Sequence, residues 1–581
     1  AADLFYDYDG VADCRAATLL GGGQKVCQVG CLGLGSCVAA CPFDAIRLGD
    51  DGLPVIDWNR CTGCGVCVRV CPKNVLTLTS ATNRLLGWNR QIECLAPCQK
   101  TCPAQIDIPA YIRAIGEGRY TDAIRIIKEH NPMPLSIGRV CPHPCELDCR
   151  RGYVDEPVAI NFLKRFAADF EMARGKAVKP YMLPETEHRV AVVGGGPAGL
   201  SAAYYLRRLG HKVTIFEAMP KLGGMLRYGI PEYRLPKKIL DWEINSILEL
   251  GIEVELNKSV GQDFQLGDLI EDGFGAVFLA NGAWSSREMG VEGEGQLVGV
   301  VSGTSFLIER GMDKVPWVGQ NVAVIGGGNT AIDCARTILR LGAEKVTVLY
   351  RRTRKEMPAS EIEIVEAERE GVKFHYLAAP TRLTGQDGKL NGVEIIEMEL
   401  GEPDDSGRRR PVPQEGSESI LPIDMVISAI GQFCNVDYLP QEGDVCLTRW
   451  KTVETDEETL ATGSPAIFAG GDLVLGPATV VEALAGGRRA ARSINQYLRG
   501  EAVQAADDLL KPAGDPWPLI EDLTGVDQVP REKMPELEEP DREGNFNEVD
   551  LGFTEEQARR EAARCLQCGL YCYRKPALKG A

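Results

Sequence analysis

Arg189-Val-Ala-Val-Val193-Gly194-Gly-Gly196-Pro197-Ala198-Gly199 decides the fold. A short apolar run leads into spaced glycines, and the residues beyond them, through Ala202, Leu206 and Leu209, repeat at helical spacing. Strand, glycine turn and helix in that order are the fingerprint of a dinucleotide-binding βαβ unit. The glycines permit the tight turn and let a pyrophosphate reach the helix N-terminus, where unpaired N–H groups favour anions. The next strand, Lys212-Val-Thr-Ile-Phe-Glu217, ends on an acid near the spacing of a ribose-binding carboxylate, roughly 20 residues on. Gly194, Gly196, Pro197, Ala198, Gly199 and Glu217 are therefore expected to bind FAD.

The pattern recurs at Val322-Ala-Val-Ile-Gly326-Gly-Gly328-Asn329-Thr330-Ala331, with a small alanine in the third glycine position. Its following strand, Lys345-Val-Thr-Val-Leu-Tyr350, ends on Arg351-Arg352, cations suited to a 2′-phosphate. NADP(H) is expected here, held by Gly326, Gly328, Asn329, Thr330, Ala331, Arg351 and Arg352. A solvated arginine pair is the plainer alternative. Ile467-Phe-Ala-Gly-Gly471-Asp472 then precedes a helical run opening at Thr479 and reads as the returning half of the FAD domain. The expected fold class is α/β, two nested Rossmann-like domains with the NADP fold inserted into the FAD fold.

The 21 cysteines are too sparse for a small disulfide scaffold, and most fall in clusters. Cys61-Thr-Gly-Cys64-Gly-Val-Cys67-Val-Arg-Val-Cys71-Pro72 has the spacing that gives three thiolates to one 4Fe–4S cube and the fourth to a second. Cys27, Cys31, Cys37 and Cys41-Pro42 form a stretched version of the same run. A two-cluster ferredoxin follows, one cube on Cys27, Cys31, Cys37 and Cys71 and the other on Cys61, Cys64, Cys67 and Cys41. A zinc ribbon would pair two CxxC knuckles without the trailing Cys-Pro. Cys14 is left without a cluster, and Cys334, Cys434 and Cys446 read as ordinary thiols.

Residues 5–80 resemble the ferredoxin part of the B subunit of Rnf-type ferredoxin:NAD oxidoreductases, through Tyr8-Asp-Gly-Val-Ala-Asp-Cys14-Arg-Ala-Ala and Cys31-Leu-Gly-Leu-Gly-Ser-Cys37. Residues 90–500 resemble the small (beta) subunit of glutamate synthase and its relatives, among them the NADPH half of dihydropyrimidine dehydrogenase and the large subunit of bifurcating transhydrogenases. The residues carrying this likeness are Gly138-Arg-Val-Cys141-Pro, Gly223-Gly224-Met225-Leu226, Tyr228-Gly-Ile-Pro231, Arg234-Leu-Pro236, Tyr350-Arg-Arg-Thr-Arg-Lys-Glu-Met-Pro358, Ala429-Ile-Gly431-Gln432 and Gly471-Asp472. The resemblance implies FAD contacts at Gly224, Met225, Arg234, Val260, Gly471, Asp472 and Thr479, and an NADP contact at Gly431.

The same resemblance implies two cubes in a helical domain before the FAD fold. Cys98-Gln-Lys-Thr-Cys102-Pro103 and the triplet Cys141, Cys145 and Cys149 match its ligand runs, but the leading C-x2-C is absent. Arg564-Cys565-Leu-Gln-Cys568-Gly569 has that character, and Thr554-Glu-Glu-Gln557 is a capping box for a helix that would fold it back. The implied groups are Cys98, Cys149, Cys565 and Cys568, and Cys94, Cys102, Cys141 and Cys145. Cys94 replaces an acid or amide ligand whose position holds Lys164, and Cys572 could exchange with Cys568. A C-terminal redox or zinc pair, or a cluster completed by a partner chain, are the alternatives.

At 581 residues the chain has room for several domains. Its net charge of −18 argues against nucleic-acid binding, and no charge-free apolar run reaches the roughly 20 residues of a membrane span. A soluble, cytoplasmic protein is expected; residue 1 is Ala, which leaves an upstream segment open. The expected domains are a ferredoxin-like module at 1–80, a helical iron–sulfur domain at 81–187, an FAD domain at 188–300 and 455–500, an NADP(H) domain at 301–454, and an acidic extended tail with the C-terminal cysteines at 501–581. Together these imply a flavoprotein oxidoreductase that turns hydride transfer at FAD into single-electron transfer through about four cubes, with no acid–base dyad. Expected partners are other redox subunits of a hetero-oligomer, such as NADH-flavin/iron–sulfur subunits, or ferredoxin. The family likeness extends this to electron bifurcation in a transhydrogenase. An NADPH-supplying small subunit of a glutamate synthase-like enzyme and a non-catalytic relay scaffold are the alternatives.

Overall fold

The computed structural model describes residues 4, 6–20, 22–25, 30–57, 60–73, 75–76, 96–404, 407–439, 444–505 and 526–568. The chain forms two compact units, Ala1–Trp88 with Ile92–Ala96 and Gln567–Ala581, and Asn89–Gln91 with Pro97–Leu566.

In the first unit an antiparallel hairpin, Ile46–Leu48 with Pro54–Ile56, stands between two short helices, Ser36–Ala39 and Val66–Val70. Both helices start from a glycine with positive φ, Gly35 (+74°) and Gly65 (+72°), and both carry a cysteine, Cys37 or Cys67, as second residue. The cysteine duplication of the sequence is thus a structural one. A further short helix, Cys14–Thr18, is capped by the Asp13 carboxylate, which accepts from the backbone N–H groups of Arg15 (2.7 Å) and Ala16 (3.3 Å).

The second unit contains two five-stranded parallel sheets. One is ordered Ile467–Ala469, Ala276–Leu279, Arg189–Val193, Lys212–Glu217, Glu253–Leu256. The other is ordered Lys373–Tyr376, Lys345–Tyr350, Asn321–Ile325, Met425–Ser428, Val300–Ser302. In each, the strand that precedes the glycine turn is central and buried on both faces, which is why its residues are almost all apolar. The chain leaves the first sheet, builds the second, and returns to complete the first at Ile467–Ala469. Cys434, Val436, Leu439, Val445 and Val453, expected within the NADP fold, pack instead with Ala191, Val193 and Phe216 of the first sheet. The return therefore begins near the pairing of Gln432–Phe433 with Ser285–Ser286.

Residues 97–173 of this unit are helical. Helix Pro134–Val140 packs so closely on helix Ile160–Ala173 that a side chain on Gly138 would meet the Arg165 backbone at 2.8 Å, which accounts for the glycine there. Thr554 and Gln557 form the reciprocal cap of helix Glu555–Ala563, with Gln557 N–H donating to Thr554 Oγ1 (3.2 Å) and Thr554 N–H to Gln557 Oε1 (3.0 Å). That helix folds back onto helices Ile108–Gly116 and Ile160–Ala173. None of the described helices is long and apolar enough to cross a membrane.

Candidate functional site

The first glycine turn has the shape of a dinucleotide cradle. Gly194 holds φ at +106° and its N–H donates to Phe216 O (2.8 Å), and any side chain on Gly199 would strike the Gly194 carbonyl. Gly224 arches over the turn, so that a Cβ on Gly196 would meet only the Gly224 Cα, at 3.7 Å. The helix Pro197–Arg208 starts at this opening, with Ala198 buried behind it. Glu217 is buried at the end of the adjacent strand and accepts from Gly195 N–H (2.7 Å) and Met219 N–H (2.8 Å). Burial raises its pKa, and these N–H groups work the other way.

On the returning side, burial pushes Asp472 up to about 7, opposed by the Ala478 N–H (3.3 Å). Gly471 precedes it at φ +67°, and Thr479 caps helix Val480–Leu498 in a reciprocal box with Glu482. Met225 begins the short helix after Gly224, and Val260 bridges to Phe264 against the first sheet's core. An open cradle, a helix N-terminus, the buried Glu217 at a strand end and the half-buried Asp472 after the returning strand fit a dinucleotide bearing a pyrophosphate and ribityl or ribose hydroxyls.

The second turn repeats the arrangement. Gly326 donates to Leu349 O (3.1 Å), and a Cβ on Gly328 would meet nothing within 4 Å, leaving room for a phosphate at the start of helix Asn329–Arg340. Asn329 Oδ1 accepts from Ser360 N–H (2.9 Å), Thr330 is half-buried, and Ala331 is fully buried against the strand. The two arginines part company. Arg352 is buried, donating to Arg409 O (2.7 Å) and Asp404 Oδ2 (2.6 Å), whereas Arg351 is exposed at the strand end. Gly431, at φ +129°, is exposed and accepts from Arg287 N–H (3.0 Å).

Arg234, which family likeness assigns to FAD, gives its guanidinium to the second fold. Its Nη1 lies 2.9 and 2.8 Å from the two carboxylate oxygens of Asp333, and its Nε 2.9 Å from Glu363. Sequence reading did not anticipate this pair, because nothing local to either residue marks it.

In the helical region, burial raises the Cys145 thiol well above its ordinary value, and the neighbouring Cys102 and Cys141 push it the same way. Lys164, itself buried, faces Cys141 and Cys145 and opposes that rise. The Cys149 thiol receives Val158 N–H (3.5 Å) and lies near Arg564, the residue before Cys565. Tyr111, buried, donates to Ile160 O (2.9 Å) beside Cys98, Cys102 and Cys145. The grouping of Cys102, Cys141 and Cys145 suits cube ligation, in which each thiol gives up its proton as it binds iron. Cys94 lies outside the described residues, and Cys568 falls in the first unit, where it is half-buried.

In the first unit, Cys61 and Cys64 are exposed and stand beside Cys67. Cys71 stands beside Cys31, and Ala45 N–H donates to Cys41 Sγ (3.3 Å). Cys27 and Cys572 lie outside the described residues. Cys14, which sequence reading left over, stands with Cys31 and Cys37.

Two dinucleotide cradles on nested parallel sheets, with clustered thiols around them in sequence, define a flavin- and nicotinamide-dependent oxidoreductase carrying iron–sulfur centres. Residues 188–487 match the family described as pyridine nucleotide-disulphide oxidoreductase, residues 77–176 that of dihydropyrimidine dehydrogenase domain II, 4Fe-4S cluster, and residues 54–77 the 4Fe-4S binding domain. The chain belongs to the pyridine nucleotide-disulphide oxidoreductase family. It is 46% identical over 506 residues to the NADP(+)-dependent formate dehydrogenase subunit beta of Moorella thermoacetica, covering 81% of this chain and 70% of that protein. It is 43% identical over 504 residues to the NADPH-Fe(3+) oxidoreductase subunit beta of Geobacter sulfurreducens, covering 81% and 75%. With the glutamate synthase (NADPH) small chain of Escherichia coli it shares 37% over 418 residues, 69% of this chain and 88% of that one. The chain is an NADP(H)-dependent flavin and iron–sulfur oxidoreductase subunit, with FAD, NADP(H) and 4Fe–4S clusters as its cofactors.

Proposed function

We propose that this chain is the NADP(H)-side subunit of a larger redox complex, taking a hydride from NADPH, or returning one to NADP, and passing single electrons through about four cubes to a partner subunit. FAD, when bound, supplies the two-electron to one-electron conversion. The protein's part is to hold the nucleotides and to set distances. Gly196 and Gly224 leave the flavin pyrophosphate its place; Glu217 and Asp472 offer acceptors to its hydroxyls; Gly328 and Arg351 receive the phosphates of NADP.

The observation that carries this reading is the path of helix Val480–Leu498. It begins at Thr479, packs so tightly on the first cradle helix that a side chain on Gly487 would strike Ala198 O, and at the next residue, Arg488, carries a guanidinium within electrostatic reach of Cys102. One rigid element thus runs from the flavin cradle to a cube ligand. Hetero-oligomeric partners are supported by the relatives' names, which are those of beta or small subunits.

An anaerobic titration with NADPH, with NADH as control, tests the proposal by following flavin absorbance and cluster paramagnetism together. NADPH but not NADH should bleach the flavin and raise cluster signals. If neither nucleotide reduces the flavin of fully loaded protein, the chain is a relay scaffold. Cluster reduction that requires a second acceptor, rather than NADPH alone, identifies bifurcation.

A further inference from the structure

We infer that Cys14 is the fourth ligand of the cube held by Cys31, Cys37 and Cys71. In the first unit these four cysteines line one pocket, together with Leu32, Leu48 and Pro72. Among the described residues no group of three or more His, Cys, Asp or Glu side chains closes on a single ion, and Cys14, Cys31, Cys37 and Cys71 lie along the wall of this pocket. An apolar wall with four thiols spaced around it suits a cube, which takes a thiolate at each iron.

Cys14 is held there by its own segment. The Asp13 carboxylate caps the short helix that Cys14 opens, Thr18 Oγ1 donates to Cys14 O (2.6 Å), and Cys14 N–H donates to Ser36 Oγ (2.6 Å). Ser36 precedes Cys37 in the helix that starts at Gly35, so the bond fixes Cys14 to the loop that presents Cys37. Ala17, one turn along, is fully buried and anchors the helix. Ligation requires only loss of the thiol proton as the Sγ–Fe bond forms. The duplicated ferredoxin spacing points to Cys27 for this place; the inference moves that role to Cys14 and leaves Cys27 as a thiol outside the cubes. It holds whichever partner or direction of electron flow the proposed function has.

Mild anaerobic alkylation of the intact, cluster-loaded protein with iodoacetamide, followed by peptide mass spectrometry, tests this without any substitution. Cys14 should be protected, Cys27 modified, and both modified once a chelator and denaturant have removed the iron. In parallel, Cys14→Ser should lose about four iron atoms per chain, or shift the paramagnetic signal of one cube, whereas Cys27→Ser should keep the parent's iron content and signal. Alkylation of Cys14 with the iron intact overturns the inference. So does a Cys14→Ser protein with the parent's iron and signal, or loss of the same cube from Cys27→Ser alone.

Discussion

Arg234 and Asp333 form an ion pair across the two dinucleotide folds, one guanidinium nitrogen standing 2.9 and 2.8 Å from the two carboxylate oxygens. Asp333 lies on the helix that follows the second glycine turn, and Arg234 follows the Tyr228-Gly-Ile-Pro231 stretch after the first. Burial holds the Asp333 carboxyl up to about 6, and Arg234 draws it back down. The pair is nearly dry, so losing one member leaves an uncompensated buried charge.

Arg234→Leu should therefore destabilise the protein by about 3–5 kcal/mol, and Arg234→Leu with Asp333→Leu should recover much of that. Thermal unfolding of the two variants measures it. The same variants separate two roles for Arg234. If it aligns the folds, flavin content stays at the parent's level while NADPH-driven flavin reduction slows; if it contacts FAD, flavin content falls.

Of the Arg351-Arg352 pair, Arg351 is exposed and Arg352 is buried in bonds to Asp404 and the Arg409 carbonyl, so the proposed 2′-phosphate contact falls to Arg351. Arg351→Ala should raise the KM for NADPH by about 10- to 100-fold, the worth of a charge-assisted hydrogen bond of roughly 1.5–3 kcal/mol, and leave KM for NADH unchanged. Arg352→Ala should act through stability, since it removes a buried guanidinium that bonds Asp404 and the Arg409 carbonyl. A selective NADPH defect in Arg352→Ala with an unchanged melting temperature would reverse the two assignments.

The C-terminal fold-back is clamped by Glu561. Fully buried, it accepts from Ala159 N–H (2.8 Å), Glu532 N–H (2.9 Å) and Arg564 Nη1 (2.7 Å). Glu561→Ala should release the 526–566 segment to proteolysis under conditions in which the parent resists, with a loss of about 3–5 kcal/mol. Unchanged proteolysis of that segment would show that Arg139 and Arg165, which both grip Glu548, hold it by themselves.

Much of this was legible because the signals are local. A strand, a glycine turn and a helix are contiguous in sequence, and Thr554 and Gln557 are three residues apart, so the two cradles and the C-terminal cap can be read residue by residue. The chemistry that escaped is non-local. Arg352 looks like Arg351 until Asp404, far along the chain, takes it up; Arg234 looks like a flavin contact until the inserted fold brings Asp333 to it. Cys14 reads as surplus because Cys31, Cys37 and Cys71, with which it lines one pocket, lie far from it in sequence and at no spacing that marks a ligand run. The return to the first sheet was placed too late for a similar reason, since Cys434, Val436 and Leu439 have no periodicity that marks whose core they enter.

Acid should loosen the contact between the helical region and the flavin fold. Burial, followed by Arg488, drives His130 down to about 3, and burial foremost drives His211 down to about 4. His130 Nδ1 faces Ala104 O (3.1 Å) and Arg488 Nη1, donating to the first in one tautomer or accepting from the second in the other, and His211 meets Asn495 (3.1 Å) and Thr186 (2.9 Å). Both are neutral in the fold, while in the unfolded chain they protonate near 6.5. Their contribution to stability is present above about 6.5 and is lost as pH falls toward 4 and below. Melting temperature should drop between pH 7 and pH 5, and His211→Gln should flatten part of that drop. An equally steep drop in the variant would assign the acid sensitivity elsewhere.

Asp472 should respond in the opposite sense. Its folded pKa of about 7 lies above the ordinary value of 3.8, chiefly because the carboxylate loses water in the cradle and receives one weak N–H in return. A raised carboxyl is easiest to keep neutral, so its contribution favours the flavin-free fold below about 3.8 and disappears as pH rises through 7. Flavin-depleted Asp472→Asn should therefore melt higher than the flavin-depleted parent at pH 8, by an amount on the order of a few kcal/mol at most, with the gap closing toward pH 4. Flavin hydroxyls donating to the carboxylate would replace the lost water, and the loaded parent should accordingly outlast loaded Asp472→Asn at pH 8. A stability gap between the flavin-depleted proteins that is the same at pH 4 and pH 8 would show that Asp472 is already solvated there, and would remove it from the flavin's acceptors.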